Sequence, residues 1–126
     1  MSEGGPDRRF HPPGRLTLRE LLAATGGRMV RGADLDRAHT LCTDTRELTR
    51  GALFVALRGE VHDGHRFVGA ALAGHEVGAL VEEAALESGL ALPGEGPVIA
   101  VPDSLVALGA AGRAALRRVH LIVAAI

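Results

Sequence analysis

From Leu53 onward the sequence alternates short apolar runs with stretches of helical spacing, and this alternation constrains the fold more than any other feature. Leu53-Phe54-Val55-Ala56-Leu57 is apolar at every position, the pattern of a strand buried on both faces. Val77 to Val81, Val98 to Val101 and Leu121 to Ile126 repeat it, with helical or loop-like segments between. Strands alternating with helices predict an α/β fold: a small mixed or parallel sheet with helices packed on it. A chain of 126 residues suits one domain. A chain of that size buries roughly two-thirds of its unfolded surface, so it can fold without staples. Phe10, Phe54 and Phe67 are the only aromatics, so Leu, Val, Ile and Ala must build the core.

Residues 1–14, rich in Gly and Pro, read as a flexible tail. Residues 15–118 read as the domain, and 119–126 as the first strand of a further unit. Thr17 and Glu20 have the capping-box spacing, with a helix running to Gly26-Gly27. A short strand is expected at Met29 to Arg31 and another over residues 38–46. Phe67 to Ala73 has helical spacing that would put Phe67, Ala70 and Ala71 on one face. Leu86 to Pro97 reads as loop. Asp103 or Ser104 can cap a helix over about 104–118, with Leu105, Leu108, Ala111 and Ala115 facing inward and Arg117 and Arg118 in its last turn.

Several function classes fall away. The net charge is -1, without the basic stripe or stacking aromatics that nucleic acid requires. No apolar run approaches the roughly 20 residues that span a bilayer, and the first residues lack the apolar stretch of a signal peptide. Cys42 is the single cysteine, which excludes an internal disulfide and fits a reducing cytoplasm. A cytoplasmic monomer is expected. All 14 basic residues are arginine. Without lysine, neither Schiff-base chemistry nor a phosphate-loop lysine is available, and arginine is no general base at neutral pH.

Two loops beside the 53–57 run concentrate polar groups, and loops after strand carboxyl ends are where such folds gather ligands. Thr43-Asp44-Thr45-Arg46 offers hydroxyls for the edge of a pyrimidine and a guanidinium for a phosphate or carboxylate. The same residues also suit a plain turn, with Asp44 capping it and Arg46 in an internal ion pair. Gly59-Glu60-Val61-His62-Asp63-Gly64-His65 is the second loop. His62, Asp63 and His65 are metal-ligand types, but their spacing fits no strong signature, and Asp63-Gly64 is a good turn pair. His11, His39, His75 and His120 are scattered, and Cys42 reads as a small buried hydrophobe rather than a nucleophile.

The block from Thr43 to Phe67 closely resembles a signature of the Mur ligases, and the resemblance extends over about residues 15–126. The Thr17 to Gly27 helix and the strand, Asp-Ser and helix segment Val98 to Gly109 carry it further. Thr43, Thr45, Glu60 and Phe67 favour the branch that joins D-alanyl-D-alanine to UDP-MurNAc-tripeptide; the sister ligase adding the third peptide residue is the alternative. The resemblance implies an ATP- and magnesium-dependent amide ligase of peptidoglycan-precursor synthesis, cytoplasmic, whose N-terminal domain holds the UDP end of a UDP-MurNAc-peptide. On that basis Thr43 and Thr45 would meet the uridine, Glu60, Val61 and His62 would approach the UDP moiety, and Arg46 would give a supporting contact. None of these is a catalytic residue.

In that family a strand like 121–126 leads into a Gly-rich, lysine-containing phosphate loop, which these residues do not include. The expectation is therefore a substrate-recognition domain that holds no cofactor and catalyses nothing by itself. A stand-alone interaction module and a small metal hydrolase built on His62, Asp63 and His65 are the competing expectations.

Overall fold

The computed structural model describes residues 15–32, 34–74 and 76–125, with the backbone alone over 118–125. The N-terminal tail, Ala33 and His75 lie outside the described residues. In chain order the elements are β1 (Leu16–Thr17), α1 (Leu18–Thr25), β2 (Arg28–Arg31), β3 (Ala38–His39), β4 (Leu41–Cys42), β5 (Leu53–Val55), α2 (Val68–Gly74), β6 (Gly78–Glu82), α3 (Glu83–Glu87), β7 (Val98–Val101) and α4 (Ser104–Ala125). Two 3-10 turns, Thr45–Glu47 and Gly64–Phe67, follow β4 and β5.

The main sheet has the order β2-β7-β6-β5-β4. Its β4, β5, β6 and β7 are parallel, and β2 is antiparallel on the β7 edge, so the sheet is mixed, as expected. β1 and β3 form a separate antiparallel pair. Each central strand is buried on both faces, and its side chains alternate between two cores. Leu53, Val55, Leu80, Ile99 and Val101 pack with Leu18 and Leu21 of α1 and Ala107 and Ala111 of α4. Phe54, Ala79, Val81 and Val98 face the other way, onto Val68, Ala71 and Leu72 of α2. Phe54 is the one aromatic in either core, and truncating a core Phe to Ala costs about 3–5 kcal/mol.

α1 forms as its sequence prescribes. Thr17 Oγ1 accepts from Glu20 N at 3.0 Å, Glu20 Oε1 accepts from Thr17 N at 2.9 Å, and Gly26 closes the helix. Residues 88–97 have no regular structure but are pinned by Arg31. Its guanidinium donates to Leu92 O at 2.7 Å, Gly96 O at 2.9 Å and Pro93 O at 3.2 Å.

The structure corrects the sequence reading in four places. α4 continues through Ala125, so residues 119–125 are helix and not the strand expected there. Nothing between Arg118 and Leu121 stops a helix, Ala and Leu favour one, and a short apolar run cannot by itself tell strand from helix. Arg117 and Arg118 are consequently mid-helix. On α4 Leu108, Ala111 and Ala115 pack on the core as expected, but Leu105 is 66% exposed and Ala107 is buried in its place. Phe67 lies in the 3-10 turn before α2 and Ala70 is exposed; Val68, Ala71 and Leu72 form the buried face instead. Finally, Leu86 and Glu87, expected as the start of a loop, end a short helix, α3, which begins immediately after β6.

Candidate functional site

β4 and β5 are parallel neighbours, so their carboxyl ends deliver the two polar loops to the same edge of the sheet. There they enclose a cavity of about 530 Å³. From the first loop it is lined by Thr43, Asp44, Thr45 and Arg46, and from the second by His62 and Gly64. Leu57 and Phe67 complete the wall, and Phe54 reaches it from the core. Of the residues singled out in the sequence, Thr43, Thr45, Arg46 and His62 are thus brought together. Glu60 and Val61 stand at the exposed tip of the second loop, with Val61 84% exposed, and do not line the cavity.

The first loop is built by its own side chains. Asp44 Oδ1 accepts from Arg46 N at 2.9 Å and so caps the 3-10 turn. The Arg46 guanidinium returns to Asp44 Oδ2 at 2.8 Å. Hydrogen bonds from the Arg46 side chain and then its backbone hold the Asp44 carboxyl below the usual carboxylate range. The turn reading of this loop therefore holds, and it leaves the Thr43 and Thr45 hydroxyls without a partner among the described residues. Cys42 Sγ donates to Asp44 O at 3.0 Å, a structural contact that secures the start of the loop.

The second loop closes on itself. Gly59 N donates to His62 O at 2.8 Å and Gly64 N to Leu57 O at 2.7 Å, with Arg58 and Asp63 bridged between them. Gly64 must be glycine, because a Cβ there would lie 2.9 Å from Leu57 N and 3.0 Å from Leu57 O. His65 is buried, and both its ring nitrogens are engaged, one at Asp63 and one at the backbone of Glu82. It therefore has no lone pair for a metal. Among the described residues no three His, Cys, Asp or Glu side chains converge as a metal site, so the His62, Asp63 and His65 reading loses its ligand set.

Phe67 is the site residue that sequence periodicity misassigned. It is 44% exposed at the cavity, with the Arg66 guanidinium 5.4 Å from its ring centre. The signal was the Asp63-Gly64 turn pair just before it, which delays the helix start past Phe67.

The chain is thus a mixed α/β domain with a polar cavity at the carboxyl edge of its sheet. No family-level sequence profile matches the chain. Individual relatives do. It is 36% identical over 94 residues to the UDP-N-acetylmuramoyl-L-alanyl-D-glutamate–2,6-diaminopimelate ligase of Parabacteroides distasonis, a match covering 75% of this chain and 18% of that protein. It is 39% identical over 94 residues to the UDP-N-acetylmuramoyl-tripeptide–D-alanyl-D-alanine ligase of Escherichia coli, covering 75% of this chain and 19% of that one. Two crystal structures of MurF from Acinetobacter baumannii superpose with TM-scores of 0.61 and 0.64 at 28% identity, over 76% and 79% of this chain and 20% and 21% of theirs. The chain belongs to the Mur ligase family, as an N-terminal domain of it. It spans about a fifth of the length of these relatives. No helix among the described residues is long and apolar enough to cross a membrane.

Proposed function

We propose that this domain holds the UDP end of a UDP-MurNAc-peptide for a ligase of peptidoglycan-precursor synthesis. The observation that carries the reading is the convergence of Thr43, Thr45, Arg46 and His62 on one cavity of about 530 Å³. Two hydroxyls without a partner among the described residues suit the hydrogen-bonding edge of a uracil, and the half-exposed Phe67 ring gives it a flat apolar wall. Arg46, already turned toward Asp44, is a supporting contact. Glu60 and Val61, exposed at the tip of the second loop, would have to fold over the ligand to touch it.

These 126 residues are a recognition element and hydrolyse no ATP by themselves. They include no lysine, and so no lysine-containing phosphate loop of the kind that cradles ATP. The domain works as a cytoplasmic monomer. Calorimetry with UDP-MurNAc-tripeptide tests the reading: heat of binding is expected, and its absence at millimolar ligand would sink it. Light scattering that found a stable oligomer indifferent to UDP-sugars would favour an interaction module instead.

The ligase that adds the third peptide residue is the second reading, because relatives of both kinds match at similar identity. A domain that reads only the end shared by both substrates would resemble both ligases. Titration with UDP-MurNAc-dipeptide against the tripeptide separates the cases: equal affinities mean this domain reads the shared end alone.

A further inference from the structure

The wall of the candidate site is held by groups that never line it. Asp63 Oδ1 accepts from His65 N at 3.0 Å and from His65 Nδ1 at 2.7 Å. On the other side of the ring, Nε2 accepts from the Glu82 backbone N at 2.9 Å, at the end of β6. Nε2 can accept only if it carries no proton, so the ring is fixed as the Nδ1–H tautomer. The Glu82 carboxylate is buried. Its Oε2 accepts from Ser104 N at 2.9 Å and Ser104 Oγ at 3.2 Å, joining the end of β6 to the start of α4. Its Oε1 faces Arg58 Nη1 at 3.6 Å, which leads back into the second loop. The circuit runs from the loop through His65 to β6, then through Glu82 and Arg58 to the loop again.

Asp63, His65, Arg58 and Glu82 border a separate cavity of about 390 Å³ on the far side of this loop. Leu57, His62, Gly64 and Phe67, from the same stretch of chain, face the candidate site. We infer that Asp63 and His65, backed by Glu82, are positioning residues: they clamp the 57–67 segment to the end of β6, so that His62 and Phe67 are presented to the ligand in one fixed arrangement. A ligand that found the loop loose would have to order it on binding, which costs affinity.

The inference rests on the proposed function, and its test separates the two. UDP-MurNAc-tripeptide is titrated calorimetrically into the wild-type chain and into His65→Ala, His65→Gln and Asp63→Ala. The expected result is a loss of tenfold or more in affinity for His65→Ala. His65→Gln, whose carboxamide oxygen can still accept from Glu82 N, should recover to within about threefold of wild type. Asp63→Ala, an exposed change that leaves the core untouched, should weaken binding several-fold and so decides the matter if His65→Ala does not fold. Nitrogen-15 NMR of the His65 ring should show a protonated Nδ1 and a bare Nε2, with the tautomer preference relaxed in Asp63→Ala. A folded His65→Ala or Asp63→Ala binding within twofold of wild type, or an Nε2–H tautomer, overturns the inference. Failure of the wild-type chain to bind at all overturns the reading beneath it.

Discussion

The two ends of the sheet each carry a cavity of similar size, about 530 Å³ at the carboxyl edge and about 570 Å³ at the amino edge, yet they are built from different materials. The carboxyl-edge cavity is lined by hydroxyl, guanidinium, imidazole and aromatic side chains on loops held by their own hydrogen bonds. The amino-edge cavity carries charged and imidazole groups too, from Arg37, His39, Glu76 and Glu95, but it is threaded by Gly51, Gly78, Gly94 and Gly96, and at Gly78 and Gly96 backbone comes into close approach. A Cβ on Gly78 would lie 2.6 Å from Pro97 O and 2.7 Å from Leu53 Cδ1, and one on Gly96 would collide with the Val77 carbonyl oxygen. Volume therefore does not tell the two cavities apart; the construction of their walls does, self-bonded polar loops at one end and glycine-mediated backbone approach at the other.

The sharpest way to break this contrast is at Gly96. Gly96→Ala should cost about 3 kcal/mol or more of stability in urea denaturation, because neither backbone can yield, while the folded fraction binds UDP-MurNAc-tripeptide with unchanged affinity. Weakened binding in that folded fraction would erase the division between the two ends.

Next in size is the double change Thr43→Ala with Thr45→Ala. It should lower affinity for the same ligand by about tenfold, roughly 1.4 kcal/mol, and leave the thermal midpoint where it was. A shifted midpoint with intact binding would make the loop structural.

The amino edge also has a pH signature. His39 is buried, its Nδ1 donating to Gly51 O at 2.8 Å and its Nε2 without a partner among the described residues. Burial pushes its pKa down, against the opposing pull of the Gly51 carbonyl. The unfolded chain then binds the proton more readily than the folded one, so stability rises with pH through this range. The contribution is complete above the unfolded value of about 6.5 and is lost below it, at no more than about 1.4 kcal/mol per pH unit. Urea midpoints between pH 5 and 8 should show this slope, and His39→Gln should flatten it.

The smallest effect is expected at Arg46. Arg46→Ala leaves the cap from Asp44 to the backbone in place and removes an exposed ion pair, so the thermal midpoint should not move, while ligand affinity falls two- to threefold.

What the sequence revealed, it revealed through local rules. The Thr17–Glu20 box, the Gly26 stop, the fully apolar 53–57 run and the Asp44 turn all concern residues within a few positions of one another. The placement of the two polar loops beside each other also followed, because parallel neighbouring strands must release their loops on the same side. What stayed hidden depends on distance. Glu82 ends an apolar run and looks like surface, but its carboxylate is buried because Ser104, on another element, supplies the donors. His65 looked like a possible metal ligand until Glu82 N occupied its second nitrogen. That Ala107 and not Leu105 turns inward on α4 depends on how the helix packs against α1 and β6, which spacing alone does not encode.

Arg31 shows what such long-range ties do to motion. Residues 88–97 have no ladder of their own; Leu90 and Leu92 seat on the second core, and one guanidinium from the edge strand β2 holds Leu92 O, Pro93 O and Gly96 O. Fraying of β2 would therefore free all three carbonyls of this strap at once. A protease that catches the strap open is reporting on the edge of the sheet, and the cleavage rate becomes a gauge of how often β2 lets go.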